Sequence, residues 1–261
     1  MTLGLRPVLV TLALSLGALA SSVVSSFAVT DAGIEARLSA RGIRDARVLE
    51  AFARVPRGVY VPTGAPERRF DDKPLPPTFA QVISQPYMLA RMIELVRPTP
   101  ETRVLEVGTG SGYAAALLAE LAGEVFSVGV IPESAATARL RLTREGYQNV
   151  HVKVGDGSLG WREYGPYDAI IVTALGPRVP PALIEQLVEG GVLVMPVGPP
   201  RGRQVLLWGV KKGLKLHAKE VVELHPGSAA ASPSGQGDRA APDDVRERRP
   251  VRSPSQSRND R

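Results

Sequence analysis

The chain has 261 residues, 44% hydrophobic and 22% charged, enough for one packed domain with tails. It has no cysteine, which excludes disulfides, thiolate metal sites and cysteine nucleophiles. Its three histidines, His151, His217 and His225, form no HExxH or paired spacing, so neither a metal centre nor histidine catalysis is expected.

The formal net charge is +6. Residues 227–261 combine many arginines with Pro, Ser, Gly and Asp and hold no aromatic residue. They read as a disordered, solvated tail, not as a stacking platform for bases, and no nucleic-acid partner is expected.

Along the chain, residues 1–30 come first. Arg6 precedes an uncharged stretch that runs to Thr30, densest over Val8 to Leu14, and Ala18-Leu19-Ala20 has the small-residue spacing of a cleavage site. This pattern reads as a secretory signal or, less well, as an anchor, and it places the protein in the periplasm or outside the cell.

From Ile34 to Phe52 the apolar residues Ile34, Leu38, Ile43, Val48, Leu49 and Phe52 recur at helical spacing. Two short helices parted by Gly42 are expected there. Val55 to Pro77 reads as an irregular loop. Pro86 to Val96 is helical again, with Met88, Met92, Ile93 and Val96 on one face.

The chain then alternates. Strands are expected at Arg103–Val107, Val125–Val128, Val150–Val154, Tyr167–Thr173, Val192–Val197 and Val205–Val210, and helices at Tyr113–Leu121, Pro132–Glu145 and Pro181–Leu187, the last stopped by Gly190-Gly191. Such βα alternation implies an α/β fold with a parallel, doubly wound, Rossmann-like sheet. The domain is placed at 31–226, with the first helices as an N-terminal extension.

The strongest local signal is Val104-Leu105-Glu106-Val107-Gly108-Thr109-Gly110-Ser111-Gly112-Tyr113, a strand running through a glycine-rich turn into a helix. Glycines let backbone approach a ligand and adopt positive φ, and a helix start offers free N–H groups. The dinucleotide fingerprint would need a glycine where Tyr113 stands. The spacing here is G-x-G-x-G, which favours a nucleoside ligand without phosphates. A second element, Gly155-Asp156-Gly157-Ser158, follows the third strand. Ligands of open α/β sheets sit at the carboxyl ends of strands, so Asp156 is placed to accept from an adenine amino group. The alternative is a plain turn aspartate between glycines.

In its ordered motifs the chain resembles the protein-L-isoaspartate (D-aspartate) O-methyltransferase family over Ile34 to Gly198. The matches include Gly42-Ile43-Arg44-Asp45, Val55-Pro56-Arg57, Tyr60-Val61-Pro62, Asp72-Lys73-Pro74-Leu75-Pro76, Ile83-Ser84-Gln85-Pro86, the glycine turn, Gly155-Asp156-Gly157-Ser158 and Pro196-Val197-Gly198. The resemblance implies a class I S-adenosylmethionine-dependent methyltransferase whose acceptor is the free carboxylate of an isoaspartyl residue in an aged protein. The methyl ester then closes to a succinimide, which opens partly to aspartate. It implies S-adenosylmethionine as cofactor, with Glu106, Gly108, Gly110, Gly112, Asp156 and Gly157 toward the cofactor and Ser84 as the active-site serine. It also implies a cytoplasmic monomer, against the export read from residues 1–30.

A carboxylate acceptor with pKa near 4 is ionised at neutral pH and needs no general base, which suits a chain so poor in histidine. A hydrogen bond orienting the acceptor, not nucleophilic attack, is the role this chemistry leaves for Ser84. The chain departs from the family at Gly129, where an acidic residue holds the ribose hydroxyls, and at Ala80, Val82 and Leu175-Gly176. The alternatives are a degenerate, exported, non-catalytic binding protein and a methyltransferase with a different acceptor.

Overall fold

The structure, a computed structural model, describes residues 33–61, 85–199 and 202–224. The signal-like segment 1–30, Ser84 and the tail 227–261 lie outside the described residues.

The two short N-terminal helices form as expected, α1 at Ile34–Ala40 and α2 at Ala46–Arg54. Gly42, at φ +98°, makes the turn between them, and the Asp45 side chain caps α2 by accepting from Arg47 N. The loop expected from Val55 begins instead with a short helix, α3, at Arg57–Tyr60. Its buried Tyr60 packs on Tyr113, with ring centroids 5.4 Å apart, and this tertiary contact is invisible in a Pro- and Arg-rich sequence. Helix α4, at Pro86–Val96, opens on a proline suited to a first turn.

Seven strands follow: β1 (Arg103–Val107), β2 (Glu124–Gly129), β3 (Val150–Val154), β4 (Tyr167–Val172), β5 (Leu187–Val197), β6 (Gln204–Lys212) and β7 (Lys215–Leu224). Helices α5 (Tyr113–Ala119), α6 (Pro132–Arg144) and α7 (Pro181–Glu185) lie between them. The sheet order is β3-β2-β1-β4-β5-β6-β7. Strands β1 to β5 are mutually parallel, as expected. The wholly parallel sheet is corrected at its far edge, where β6 and β7 run antiparallel. The β6–β7 connection is a tight hairpin around Gly213, too short for the crossover a parallel strand needs.

One further boundary moves. Gly190-Gly191 does not stop a helix that reaches Leu187; it lies inside β5, which begins at Leu187. The β4–β5 register shifts between Tyr167 and Ala169, and Gly190 takes φ +77°. A glycine inside a strand here marks an irregularity, not an end.

Alternate residues of the parallel strands feed two cores. Val104, Val125, Ile171 and Val194 face α1, α2, α4 and α5. Leu105, Val107, Phe126, Tyr167, Ile170 and Leu193 face Trp161 and Leu183 of the opposite layer. The result is a doubly wound sheet whose strand order reverses between β1 and β4, the position where open α/β sheets bind ligands.

Candidate functional site

The carboxyl ends of β1, β2, β3 and β4 bring together most of the residues singled out from sequence. Gly108, Gly110 and Gly112 have φ of +117°, +48° and +89°, so all three use the left-handed freedom that only glycine has cheaply. The turn folds back on β2: Gly108 N and Thr109 N both donate to Val128 O, at 2.9 and 3.4 Å. Thr173, just past β4, clamps it from the other side. Its N donates to Val107 O at 2.9 Å, and its hydroxyl reaches Val107 O and Gly108 O, each at 3.2 Å. A Cβ on Gly108 would stand 2.3 Å from Thr173 Oγ1, so the packing itself demands glycine.

Glu106 is fully buried. Its Oε2 accepts from the Ser127 hydroxyl, and Ser127 Oγ lies 2.6 Å from Thr109 Oγ1. A chain of carboxyl, hydroxyl and hydroxyl thus runs from the floor of the sheet into the glycine turn. Glu106 Oε1 has no hydrogen-bond partner among the described residues. Burial pushes the Glu106 carboxyl up to about 7, against the opposing pull of the Ser127 hydrogen bond.

Sequence reading missed Ser127, Thr109 and Thr173. A signal existed for Ser127. It is the polar residue inside an otherwise apolar β2, and it stands directly across from Glu106 in the β1–β2 register. Buried parallel strands are near-continuous apolar runs, so two polar residues on paired strands mark each other.

Asp156 follows β3 and opens a turn at Gly157–Leu159. Its Oδ1 accepts from Ser158 N at 2.8 Å, so the turn-capping role is real. Its second carboxylate oxygen takes no hydrogen bond from the described residues and is free to accept from a ligand. Gly157 is buried within the turn. Gly129 is the last residue of β2, and the missing side chain would point at Thr109 and Ala135. Glu133, in the first turn of α6, is exposed. Val130 and Ile131 past β2, Val154 at the end of β3 and Leu159 in the turn that follows are exposed apolar residues. Among the described residues no cluster of His, Asp and Glu could hold a metal ion.

Three comparisons with known proteins bear on this arrangement. The family described as protein-L-isoaspartate(D-aspartate) O-methyltransferase (PCMT) matches residues 31–225. A protein-L-isoaspartate O-methyltransferase from Synechococcus sp. (strain JA-2-3B'a(2-13)) is 53% identical over 165 residues, covering 63% of this chain and 68% of that protein. A solved protein-L-isoaspartate O-methyltransferase superposes with TM-score 0.68 at 29% identity, over 77% of this chain and 66% of that one, so the chain spans just under two thirds of it. The fold alone is also shared with a Plasmodium falciparum structure in complex with S-adenosyl-L-homocysteine, at TM-score 0.64 and 23% identity, over 77% of this chain and 97% of that one.

Proposed function

The chain belongs to the protein-L-isoaspartate (D-aspartate) O-methyltransferase family, and we propose that its site at the carboxyl ends of β1 to β3 performs that family's reaction. The enzyme is S-adenosylmethionine-dependent and methylates the free carboxylate of isoaspartyl residues in damaged proteins, which starts repair through a succinimide. The observation that carries the reading is the family match across 31–225 together with a glycine turn, a buried carboxyl and a half-free aspartate at one end of the sheet. Neither a non-catalytic binding protein nor a changed acceptor is favoured by these findings.

The residues present fit the cofactor. Gly108, Gly110 and Gly112 all take left-handed φ, an added Cβ at Gly108 or Gly112 would meet Thr173 or Ala138, and Glu106 Oε1 is a buried acceptor without a partner among the described residues. Gly108, Gly110 and Gly112 would lie under the cofactor, with Glu106 beneath the turn. Asp156 Oδ2 would accept from the adenine amino group while Oδ1 keeps its turn, and Gly157 would hold that turn close. Exposed apolar side chains at the ends of β2 and β3, Val130, Ile131 and Val154, would suit the faces of a purine. Bound S-adenosylmethionine supplies a methyl group already activated on a sulfonium.

The protein then has to orient an acceptor and exclude water. The acceptor carboxylate is ionised at neutral pH, so no side chain need remove a proton. Ser84, in the family-like Ile83-Ser84-Gln85-Pro86 segment ahead of α4, is our choice for the hydrogen bond that aims the acceptor oxygen. Incubating the protein with labelled cofactor and an isoaspartyl peptide tests the reading. Base-labile methyl ester should form, and intact cofactor binding without ester would overturn the assigned acceptor.

Among the described residues no helix is long and apolar enough to cross a membrane. We further propose, from the composition of residues 1–30, that the protein is exported and processed after Ala20. N-terminal sequencing of native protein decides this, and an intact Met1 in a cytosolic fraction refutes it. We propose also that it acts as a monomer without nucleic acid. Light scattering of the purified protein, alone and with nucleic acid, checks both points.

A further inference from the structure

A carboxyl with no cation beside it is an expensive thing to keep inside a sheet. Glu106 sits between Leu105 and Val107, across from Ser127 on β2 and Ile171 on β4, and is wholly buried. One of its oxygens has a partner and the other has none among the described residues. Among the described charged groups on the surrounding elements, Arg57 of α3 is fully buried, and Arg91 and Glu94 of α4 pair with each other at 2.6 Å. Glu124 and Asp168 are tied to Arg103 at the far ends of β2 and β4. Glu120, just past α5, is tied to Arg54 and Tyr147. On α6, Arg141 donates to Ser111 O at 2.7 Å, Arg139 donates to Val152 O, and Glu133 is exposed. Asp156, past β3, caps its own turn. Among the described residues, the influences on the Glu106 carboxyl are burial, which raises its pKa, and the Ser127 hydroxyl, which lowers it.

We propose that Glu106, linked to the glycine turn through Ser127 and Thr109, discriminates the charged methyl donor from its neutral demethylated product, giving up a proton when the donor binds and taking one up after transfer. The proposal rests on the cofactor site assigned above. Donor and product differ by one methyl group and one positive charge, since transfer turns a sulfonium into a thioether. One methyl alone is worth about 1–3 kcal/mol in an apolar pocket, but that contribution does not vary with pH, so a discrimination that changes with pH must respond to charge. Glu106 is the buried ionisable side chain at the foot of the turn, and both its protonation states are accessible near neutral pH.

The hydroxyl chain makes the two states structurally distinct. When Glu106 is ionised, Ser127 donates to it and must accept from Thr109. When Glu106 is protonated it donates to Ser127, Ser127 donates to Thr109, and the Thr109 proton turns away from Ser127. No atom moves far, yet the polarity of the turn reverses. Linkage is reciprocal: a bound positive charge that lowers the Glu106 pKa must bind more tightly as Glu106 loses its proton.

Calorimetry in buffers of different ionisation enthalpy tests this with S-adenosylmethionine and S-adenosylhomocysteine on the full chain. Near pH 7 the donor should release a fraction of a proton and the product little. The affinity ratio of donor to product should rise roughly fivefold between pH 6 and pH 8, as about one pKa unit of coupling requires for a carboxyl that titrates near 7. Glu106→Gln should abolish the proton release and the pH dependence and lower the ratio by a similar factor. Carboxyl infrared spectra of wild type give a readout that needs no variant. The protonated-carboxyl band at neutral pH should vanish with donor and persist with product, and Ser127→Ala should move its titration to higher pH. Equal proton release for both ligands, or a ratio unchanged in Glu106→Gln, overturns the proposal while leaving the cofactor site standing. If neither ligand binds wild type, the cofactor site itself fails and the proposal falls with it.

Discussion

Gly129, the last residue of β2, faces Thr109: a Cβ at position 129 would lie 3.0 Å from both Cβ and Oγ1 of Thr109. The absent side chain at this departure from the family pattern would therefore start against the glycine turn, not in open solvent. Gly129→Glu would have to push Thr109 by a few tenths of an ångström before its carboxylate could reach a ribose. Overpacking of this kind costs about 1 kcal/mol, whereas a recovered hydrogen bond to a charged group returns about 1.5 kcal/mol or more. We expect roughly tenfold tighter S-adenosylmethionine binding together with a lower unfolding temperature. Calorimetric titration and thermal melts of the variant check the two parts separately.

Gly108→Ala should abolish cofactor binding. The new Cβ would stand 2.3 Å from Thr173 Oγ1 at a φ of +117°. The Thr173 hydroxyl is itself holding Val107 O and Gly108 O and cannot simply rotate away. A loss of roughly 2–4 kcal/mol in stability is expected from clash and backbone together. Gly42→Ala is the matched control, since Gly42 has φ +98° and none of the described residues comes within 4 Å of the added Cβ. It should cost about 1–2 kcal/mol and leave cofactor affinity unchanged. Denaturant unfolding compares the pair.

Asp156→Asn separates the two roles of that side chain. Asn keeps an oxygen for Ser158 N, now 2.8 Å from Oδ1, so stability should change by less than about 0.5 kcal/mol. The other oxygen becomes an amino group, which meets the adenine amino group donor to donor. Cofactor affinity should fall about tenfold or more, as for loss of a hydrogen bond to a charged group. A large stability loss with unchanged affinity would leave Asp156 as a turn residue only.

Ser84→Ala should lower kcat about tenfold while leaving the cofactor Kd unchanged, since its proposed bond is to the acceptor. Steady-state kinetics with an isoaspartyl peptide, paired with calorimetry, gives the split. Equal losses in both would place Ser84 at the cofactor instead.

Glu106 also leaves a mark on stability in the absence of ligand. Its folded pKa, about 7, is raised above the ordinary 4.5, so the folded state holds the proton more tightly than the unfolded chain. The stabilisation is fully present below about pH 4.5 and is lost as pH rises through 7. Glu106→Gln cannot titrate there. The stability of the variant relative to wild type should therefore rise between pH 5 and pH 8, by up to about 3 kcal/mol. Unfolding midpoints across that range measure it, and a flat difference would mean Glu106 does not titrate in the folded protein.

Much of this was legible in the chain of residues alone. Apolar runs such as Ala169-Ile170-Ile171-Val172 and the alternating helices between them specify buried parallel strands, because an apolar run of that length needs both faces covered. The glycine turn declared itself by spacing, and the three positive φ angles bear out why glycine stands at each place. Motif order from Ile34 to Gly198 carried the resemblance to the family, whose match extends over 31–225.

Tertiary structure decided the rest. That β6 and β7 reverse direction depends on the tight hairpin at Gly213 and on which edge of the sheet remained open, neither of which is a property of a local window. Whether Gly129 opens onto a crevice or onto Thr109 depends on how β1 and its turn lie beside β2. The coupling of Glu106, Ser127 and Thr109 needed the register between strands twenty-one residues apart in sequence, Glu106 opposite Ser127. Sequence determines which residues can hydrogen-bond or ionise; only packing sets which of them lose water, and it is the loss of water that makes a single glutamate responsive near neutral pH.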